Sequence, residues 1–295
     1  MDELLPIATR IAPRHRTEID RARLREAILW RTEAIVLLEA PAGMGKSVLL
    51  AQLARMLGVA VHAAGHAPDI DGAGPVLWDI PPGVVPEALP ETFAAGRQRI
   101  VIAKRPETAL AGLARASLYG HVHRLGTSDL LFGRAELLDS LPARAAERWL
   151  QQSSGWPMLA GQARTDDAAL ASFLASELLE PMPAGELVAI AAWLDGETAG
   201  MPDATLLEFL NRVQAPLRVA VGEVMARRLG DAAQAAAIAA EYVRRGKVTD
   251  AIVTYQSVGR MDEAFAAFVS GAAGSTSTGT ARRPSTGCCA AFRPN

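Results

Sequence analysis

Along residues 19–31, IDRARLREAILWR, apolar side chains fall at Leu24, Ala27, Ile28 and Trp30 between charged ones. That spacing predicts an amphipathic helix. Residues 34–39, AIVLLE, form an apolar run closed by Ala-Pro-Ala-Gly, which predicts a short buried strand. A helical pattern resumes at Lys46 and runs to about Leu57. Further strands are predicted over 59–63 (VAVHA), 75–80 (PVLWDI), 99–103 (RIVIA) and 120–125. Between them the pattern predicts helices over 84–96, despite Pro86 and Pro90, and over 107–117. Strands alternating with helices imply a parallel sheet with crossovers.

After Gly126 the period changes. Residues 128–164 and 167–180 read as helices, broken at Gly155-Trp156-Pro157 and Pro181-Met182-Pro183. Residues 184–215 fit a small helical or winged-helix unit, and 216–270 are helical throughout. Within that last stretch, GKVTDAIVTYQSV (246–258) aligns with GRMDEAFAAFVSG (259–271) at an offset of 13. Gly246 pairs with Gly259, Asp250 with Glu263, Ala251 with Ala264, and Tyr255 with Phe268. A turn glycine, an acid in the first turn and a small packing residue suit short stacked helices of the tetratricopeptide kind. A plain helical hairpin fits the same two copies. Residues 271–295 are Gly-, Ser- and Thr-rich without an acid, and read as a disordered tail. A reading-frame shift near the end of a gene would look the same.

Composition narrows the class. The chain has 295 residues, 50% apolar and 21% charged, with a formal net charge of −2. This excludes wholesale disorder and collagen, and makes any polyanion-binding surface local. Aromatics at 5% favour helices over a β-sandwich. The only cysteines, Cys288 and Cys289, are adjacent, so neither a structural disulfide nor a zinc site is expected. No apolar run is long enough to span a bilayer and no secretory signal stands at the start, so a cytoplasmic protein is the expectation.

The chemistry concentrates at Ala40-Pro41-Ala42-Gly43-Met44-Gly45-Lys46-Ser47. This fits a phosphate-binding loop with Ala in place of the first Gly. Gly43 and Gly45 allow backbone N–H groups to turn inward on an anion. Lys46 can reach the β- and γ-phosphates, and the Ser47 hydroxyl can ligate Mg²⁺. The helix starting there adds free N–H groups and the positive end of its dipole. The loop follows a predicted strand and opens a predicted helix, as that mechanism needs. A Gly-rich strand–helix turn is the bland alternative.

Such a site also needs an acid at the end of a second strand. Asp79, after Val76-Leu77-Trp78, is the candidate, with Asp69 and Asp71 as rivals. Ile80 stands where many ATPases carry a second acid, so binding is better supported than fast hydrolysis. The strand RIVIAKRP ends in Lys104-Arg105, and Arg105 is the preferred phosphate sensor. His121 and His123 lack companions for a metal site. Arg10, Arg14, Arg16, Arg21, Arg23 and Arg25 alternate with Glu18, Asp20 and Glu26, which reads as a solvated face.

Taken together, IDRARLREAILWRTEAIVLLEAPAGMGKSVLLAQLA resembles the start of the ATPase module of MalT-type, large LuxR-family transcriptional regulators, which are STAND nucleotide switches. Asp129-Leu130-Leu131-Phe132 with Glu136 resembles the family's Asp-Leu-x-Phe segment, and Ser154-Gly155-Trp156-Pro157 its Gly-Trp-Pro turn. The resemblance covers about residues 10–270. It implies ATP or ADP bound with Mg²⁺ between a nucleotide domain and a winged-helix unit. It also implies an inducer or protein partner on the helical repeats, and self-association on activation. By resemblance, Lys46 and Ser47 hold phosphate and metal, Asp79 is the metal-side acid, and Arg105 is the sensor.

Three departures stand out. Ser47 and Asp79 are only 32 residues apart, the acidic pair is Asp79-Ile80, and no DNA-binding domain is visible in this chain. A truncated or degenerate regulator would look like this. The expected fold is therefore an α/β P-loop NTPase domain with a reduced parallel sheet, followed by all-α winged-helix-like and helical-repeat regions. The expected boundaries are 1–125 for the nucleotide domain, 126–165 for a helical lid, 166–215 for the winged-helix-like unit, 216–270 for the repeats and 271–295 for the tail. The expected function is an ATP/ADP switch with weak or no turnover. A P-loop NTPase or kinase, and a helical-repeat interaction module, are the alternatives.

Overall fold

A computed structural model describes residues 18–68, 74–159, 166–197 and 204–275. It begins with α1 (Ala22–Trp30), β1 (Ile35–Glu39) and α2 (Lys46–Leu57). Then come β2 (Val61–His62), β3 (Val76–Asp79), α3 (Glu91–Ala94), β4 (Ile100–Lys104), α4 (Leu113–Leu118) and β5 (Val122–Leu125). The five strands form one sheet in the order β2-β3-β4-β1-β5, and every pairing is parallel. The register sets Ile35 opposite Ile100 and Val122, and Leu77 opposite Val101.

β1 is buried along Ile35, Val36, Leu37 and Leu38, as expected of a central strand with both faces covered. Side chains alternate between faces. Ile35 and Leu37 share a core with Trp78, Ile80, Phe93, Ile100, Ile102 and Leu113. Val36 and Leu38 serve the opposite face. α2 buries Leu49, Leu50 and Leu53 and ends at Gly58, whose φ of +67° closes the helix in the left-handed region.

The α/β expectation holds, and several predicted elements need correction. The helix expected over 84–96 shrinks to α3. Pro86 and Pro90 have no N–H to give a helix. The amides between them go elsewhere, Glu87 N–H to the Gly65 carbonyl at 2.8 Å and Leu89 N–H to the Ala111 carbonyl at 2.9 Å. The helix expected over 107–117 starts only at Leu113, because Gly112 takes a φ of +89°. The strand expected over 59–63 is reduced to the two residues of β2. No helix lies between β2 and β3 among the described residues. Trp30, expected on the apolar stripe of α1, is 84% exposed.

Helices follow: α5 (Thr127–Leu130), α6 (Arg134–Ser140), α7 (Ala143–Ser153), a 3₁₀ turn (Pro157–Leu159) and α8 (Asp167–Phe173). α8 runs directly into a π-helix, Leu174–Leu179, which periodicity did not predict. Beyond Pro183 come α9 (Ala184–Leu194), α10 (Ala204–Arg212), α11 (Gln214–Leu229), α12 (Ala232–Arg244), α13 (Val248–Ser257) and α14 (Met261–Ser275). The tail expected from 271 is corrected at its start, since α14 continues through Ala272 and Ala273 to Ser275. The rest of that expectation lies outside the described residues. Among them, no helix is long and apolar enough to cross a membrane.

The chain divides into two compact units. One comprises the described residues up to Pro183 and Ala189–Val224, the other Ala184–Val188 and the described residues from Met225. In the second unit Gly246 and Gly259 both take positive φ, +72° and +74°, at the 13-residue offset. Ala251 and Ala264 are both buried. They share a small-residue core with Ala236, Ala239, Tyr255 and Ala267. The copies differ at their aromatic position, where Tyr255 is buried and Phe268 is 58% exposed.

Candidate functional site

Because all strands are parallel, the ends of β1, β3, β4 and β5 lie along one edge of the sheet, where α/β proteins place their ligands. The register sets Glu39 opposite Lys104, and Asp79 opposite Ala103. The loop 40–47 leaves this edge from β1 and enters α2. Ala40, Ala42 and Met44 are buried and anchor it. Gly43 and Gly45 take φ of +79° and +73°. At both positions a side chain would be strained.

The Lys46 ammonium folds back over this loop, donating to the carbonyls of Ala40 at 2.6 Å and Pro41 at 2.8 Å. Desolvation lowers its pKa to about 8, and the nearby Arg105 guanidinium pushes the same way, against Asp79 and Glu107. The Ser47 hydroxyl lies close enough to Asp79 to favour its charged form. Burial raises the Asp79 pKa, opposed by the Ser47 hydroxyl and by Lys46. Ile80, one residue on, points to the other side of β3 and is buried in the core. Strand alternation therefore takes residue 80 away from the edge occupied by Asp79.

The two cations at the end of β4, Lys104 and Arg105, have different commitments. Lys104 is buried, bonded to Glu39 and to the Arg105 carbonyl at 3.1 Å. Glu39 also accepts from Arg124 at 2.5 Å, so one carboxylate ties β1, β4 and β5 together. Arg105 is bonded to Glu177 instead. Its Nη2 donates to Glu177 Oε2 at 2.5 Å and its Nη1 to the Glu177 carbonyl at 3.2 Å. Glu107 Oε1 stands 3.9 Å from Nη1.

Residues 156–158 lie against the loop. A Cβ on Gly43 would come within 2.9 Å of Met158 Cβ and 3.0 Å of Trp156 Nε1. A Cβ on Gly45 would meet Pro157 Cβ at 3.4 Å. Trp156 is buried and stacks on Phe209, with ring centroids 3.9 Å apart. Gly155, at φ +83°, has no room for a Cβ, which would fall 2.7 Å from the Phe132 carbonyl oxygen. The Phe132 N–H donates to the Gly155 carbonyl at 2.8 Å. Thus the Asp-Leu-Leu-Phe segment carries the Gly-Trp-Pro turn, and that turn covers the glycines of the loop.

One edge therefore gathers Lys46, Ser47, Asp79 and Arg105 around the loop. Asp69 and Asp71 lie outside the described residues, as do Arg10, Arg14 and Arg16. Arg21 needs correction. It was expected on a solvated face, yet it is 2% exposed. It donates to Glu136 Oε1 at 3.2 Å and to the carbonyls of Leu130 and Leu131. Its guanidinium lies 4.3 Å from the Phe132 ring centroid. His123 Nδ1 is 3.8 Å from Glu33, and the His121 ring lies against Gly96.

Sequence reasoning missed Glu39 and Glu177 at this edge. Glu39 carried a signal, as the acid closing the strand before the loop. Glu177 carried none, because its partner Arg105 is 72 residues away. No protein-family model matches this chain, and no curated protein matches it.

Proposed function

We propose that this protein is an ATP/ADP-binding switch of the STAND type, related to MalT-type, large LuxR-family regulators, with weak or no turnover. The observation that carries the reading is the Lys46 ammonium held over a two-glycine loop, with Ser47 and Asp79 beside it. A cation, a loop with two left-handed glycines and a helix start suit a polyphosphate. The lowered Lys46 pKa marks an ammonium withdrawn from water beside another cation, which a bound phosphate would compensate.

Ser47 and Asp79 would hold Mg²⁺, directly or through water, with phosphate oxygens completing its shell. The metal polarises and neutralises the phosphates when bound. Arg105 would face the terminal phosphate. Ile80, the residue after Asp79, is apolar and buried, so that position offers no base to activate water, which favours slow turnover over a true NTPase or kinase. In this reading 166–215 is the winged-helix-like unit, and α12–α14 are tetratricopeptide-like helices open to an inducer or protein partner. A switch works only where nucleotide binds two arrangements unequally.

Calorimetric titration of nucleotide-free protein with Mg-ATP and Mg-ADP tests this. Micromolar or tighter binding, lost in Lys46→Ala, is the expected result. No binding to the folded wild-type chain would refute both the switch and the enzyme. Interaction through the helical unit would then be the function to pursue.

A further inference from the structure

We propose that Glu177 sets the nucleotide preference of this site by occupying Arg105, so that a triphosphate must displace it while a diphosphate need not. The inference rests on the nucleotide-binding reading above and adds its specificity.

The argument begins with what Arg105 is bonded to. It is the cation at the β4 end of the edge that is not committed to the sheet, Lys104 being taken by Glu39. Both terminal nitrogens of Arg105 engage one residue, at 2.5 Å to the Glu177 carboxylate and 3.2 Å to its carbonyl. With Glu107 at 3.9 Å, two carboxylates surround the guanidinium. A phosphate seated beyond Lys46 and reaching Arg105 would therefore meet negative charge as well as positive.

Glu177 is placed by an unusual backbone. It lies inside the six-residue π-helix Leu174–Leu179. Such segments are rare and concentrate where function requires them. Leu174, Leu178 and Leu179 are buried and hold the segment down. The Glu177 side chain itself is 42% exposed. Its backbone is fixed while its carboxylate has solvent to move into. Solvent at the Glu177 carboxylate weakens this ion pair, whereas a phosphate offers the guanidinium charge-assisted bonds from several oxygens. The pair is thus built to be exchanged. The exchange costs the triphosphate part of its binding, because Glu177 must leave Arg105 first. A diphosphate ends one phosphoryl group earlier and leaves the pair intact.

Glu177 acts through Arg105 and is a positioning residue. The test is titration of the full, nucleotide-free chain with Mg-ATP and with Mg-ADP. Wild type, Glu177→Gln, Arg105→Gln and the double variant are compared, with Lys46→Ala as the binding control. Glu177→Gln keeps the shape and removes the charge. We expect it to raise the ATP:ADP affinity ratio about fivefold or more, within the usual range of coupling between linked sites. In the Arg105→Gln background the same change should leave the ratio within about twofold, which isolates the pair. A purely structural role would alter both affinities alike and leave the ratio unmoved. An unchanged or lowered ratio in Glu177→Gln, or the same gain without Arg105, would overturn the proposal while leaving nucleotide binding in place. Failure of wild type to bind either nucleotide would remove the underlying reading, and this inference with it.

Discussion

Two arginine–glutamate pairs in the same unit have opposite characters. Arg21 and Glu136 are 3% and 5% exposed, and each has further partners. Arg21 also satisfies two carbonyls and lies against Phe132, while Glu136 accepts from the Gly133 N–H at 3.1 Å at the start of α6. Arg105 and Glu177 are 14% and 42% exposed, so solvent reaches the carboxylate. Burial decides what each pair is for. Charges withdrawn from water must stay paired, because separating them leaves an uncompensated charge in a poor solvent. Charges at the edge can trade partners with little loss. The first pair locks α1 to the Asp-Leu-Leu-Phe segment, and through Phe132 to the turn that covers the loop. The second is free to respond to a ligand.

Substituting one member of each pair tests the contrast. Arg21→Ala should destabilise the protein by about 3–5 kcal/mol in urea unfolding, since it strands Glu136 and two carbonyls. A loss below about 1 kcal/mol would show that water reaches this pair.

Lys46 sits between the two extremes, partly buried and bonded to carbonyls rather than to an acid. Its pKa is lowered to about 8 in the folded protein, against 10.5 in the unfolded chain. Below pH 8 both states hold the proton. Between about pH 8 and 10.5 the unfolded chain holds more, so stability rises with pH across that window. Relative to Lys46→Met, wild-type stability should gain roughly 3 kcal/mol by the upper end of that window. Parallel pH profiles for the two proteins would show instead that Lys46 is solvated.

Glu177→Gln should have the smallest effect, within about 1 kcal/mol in the same urea assay. A loss approaching that of Arg21→Ala would make Arg105–Glu177 a second structural lock and end the contrast.

Much of the site was legible in the chain because its signals are local. The apolar run Ile35–Leu38, the two glycines, Lys46 and Ser47 are contiguous, and a loop between strand and helix needs only neighbours. Asp79 was found as the polar end of an apolar run. The failures were also local. Pro86, Pro90 and Gly112 are poor helix residues, and apolar spacing alone outweighed them in the reading. The π-helix was illegible, because its sequence, LASELL, reads equally well as an ordinary α-helix.

What the amino-acid order determined by itself was therefore the sequence of elements and the chemistry carried by single loops and strand ends. Only the tertiary structure decided the strand order, with β4 between β1 and β3, and with it which strand ends are neighbours. It also made Arg21 a buried lock rather than a solvated cation, and gave Arg105 to Glu177. The reason is physical. Periodicity and turn chemistry are set by residues a few positions apart. The partner of a charge is set by which segments packing brings together, across 72 residues in one pair and 115 in the other.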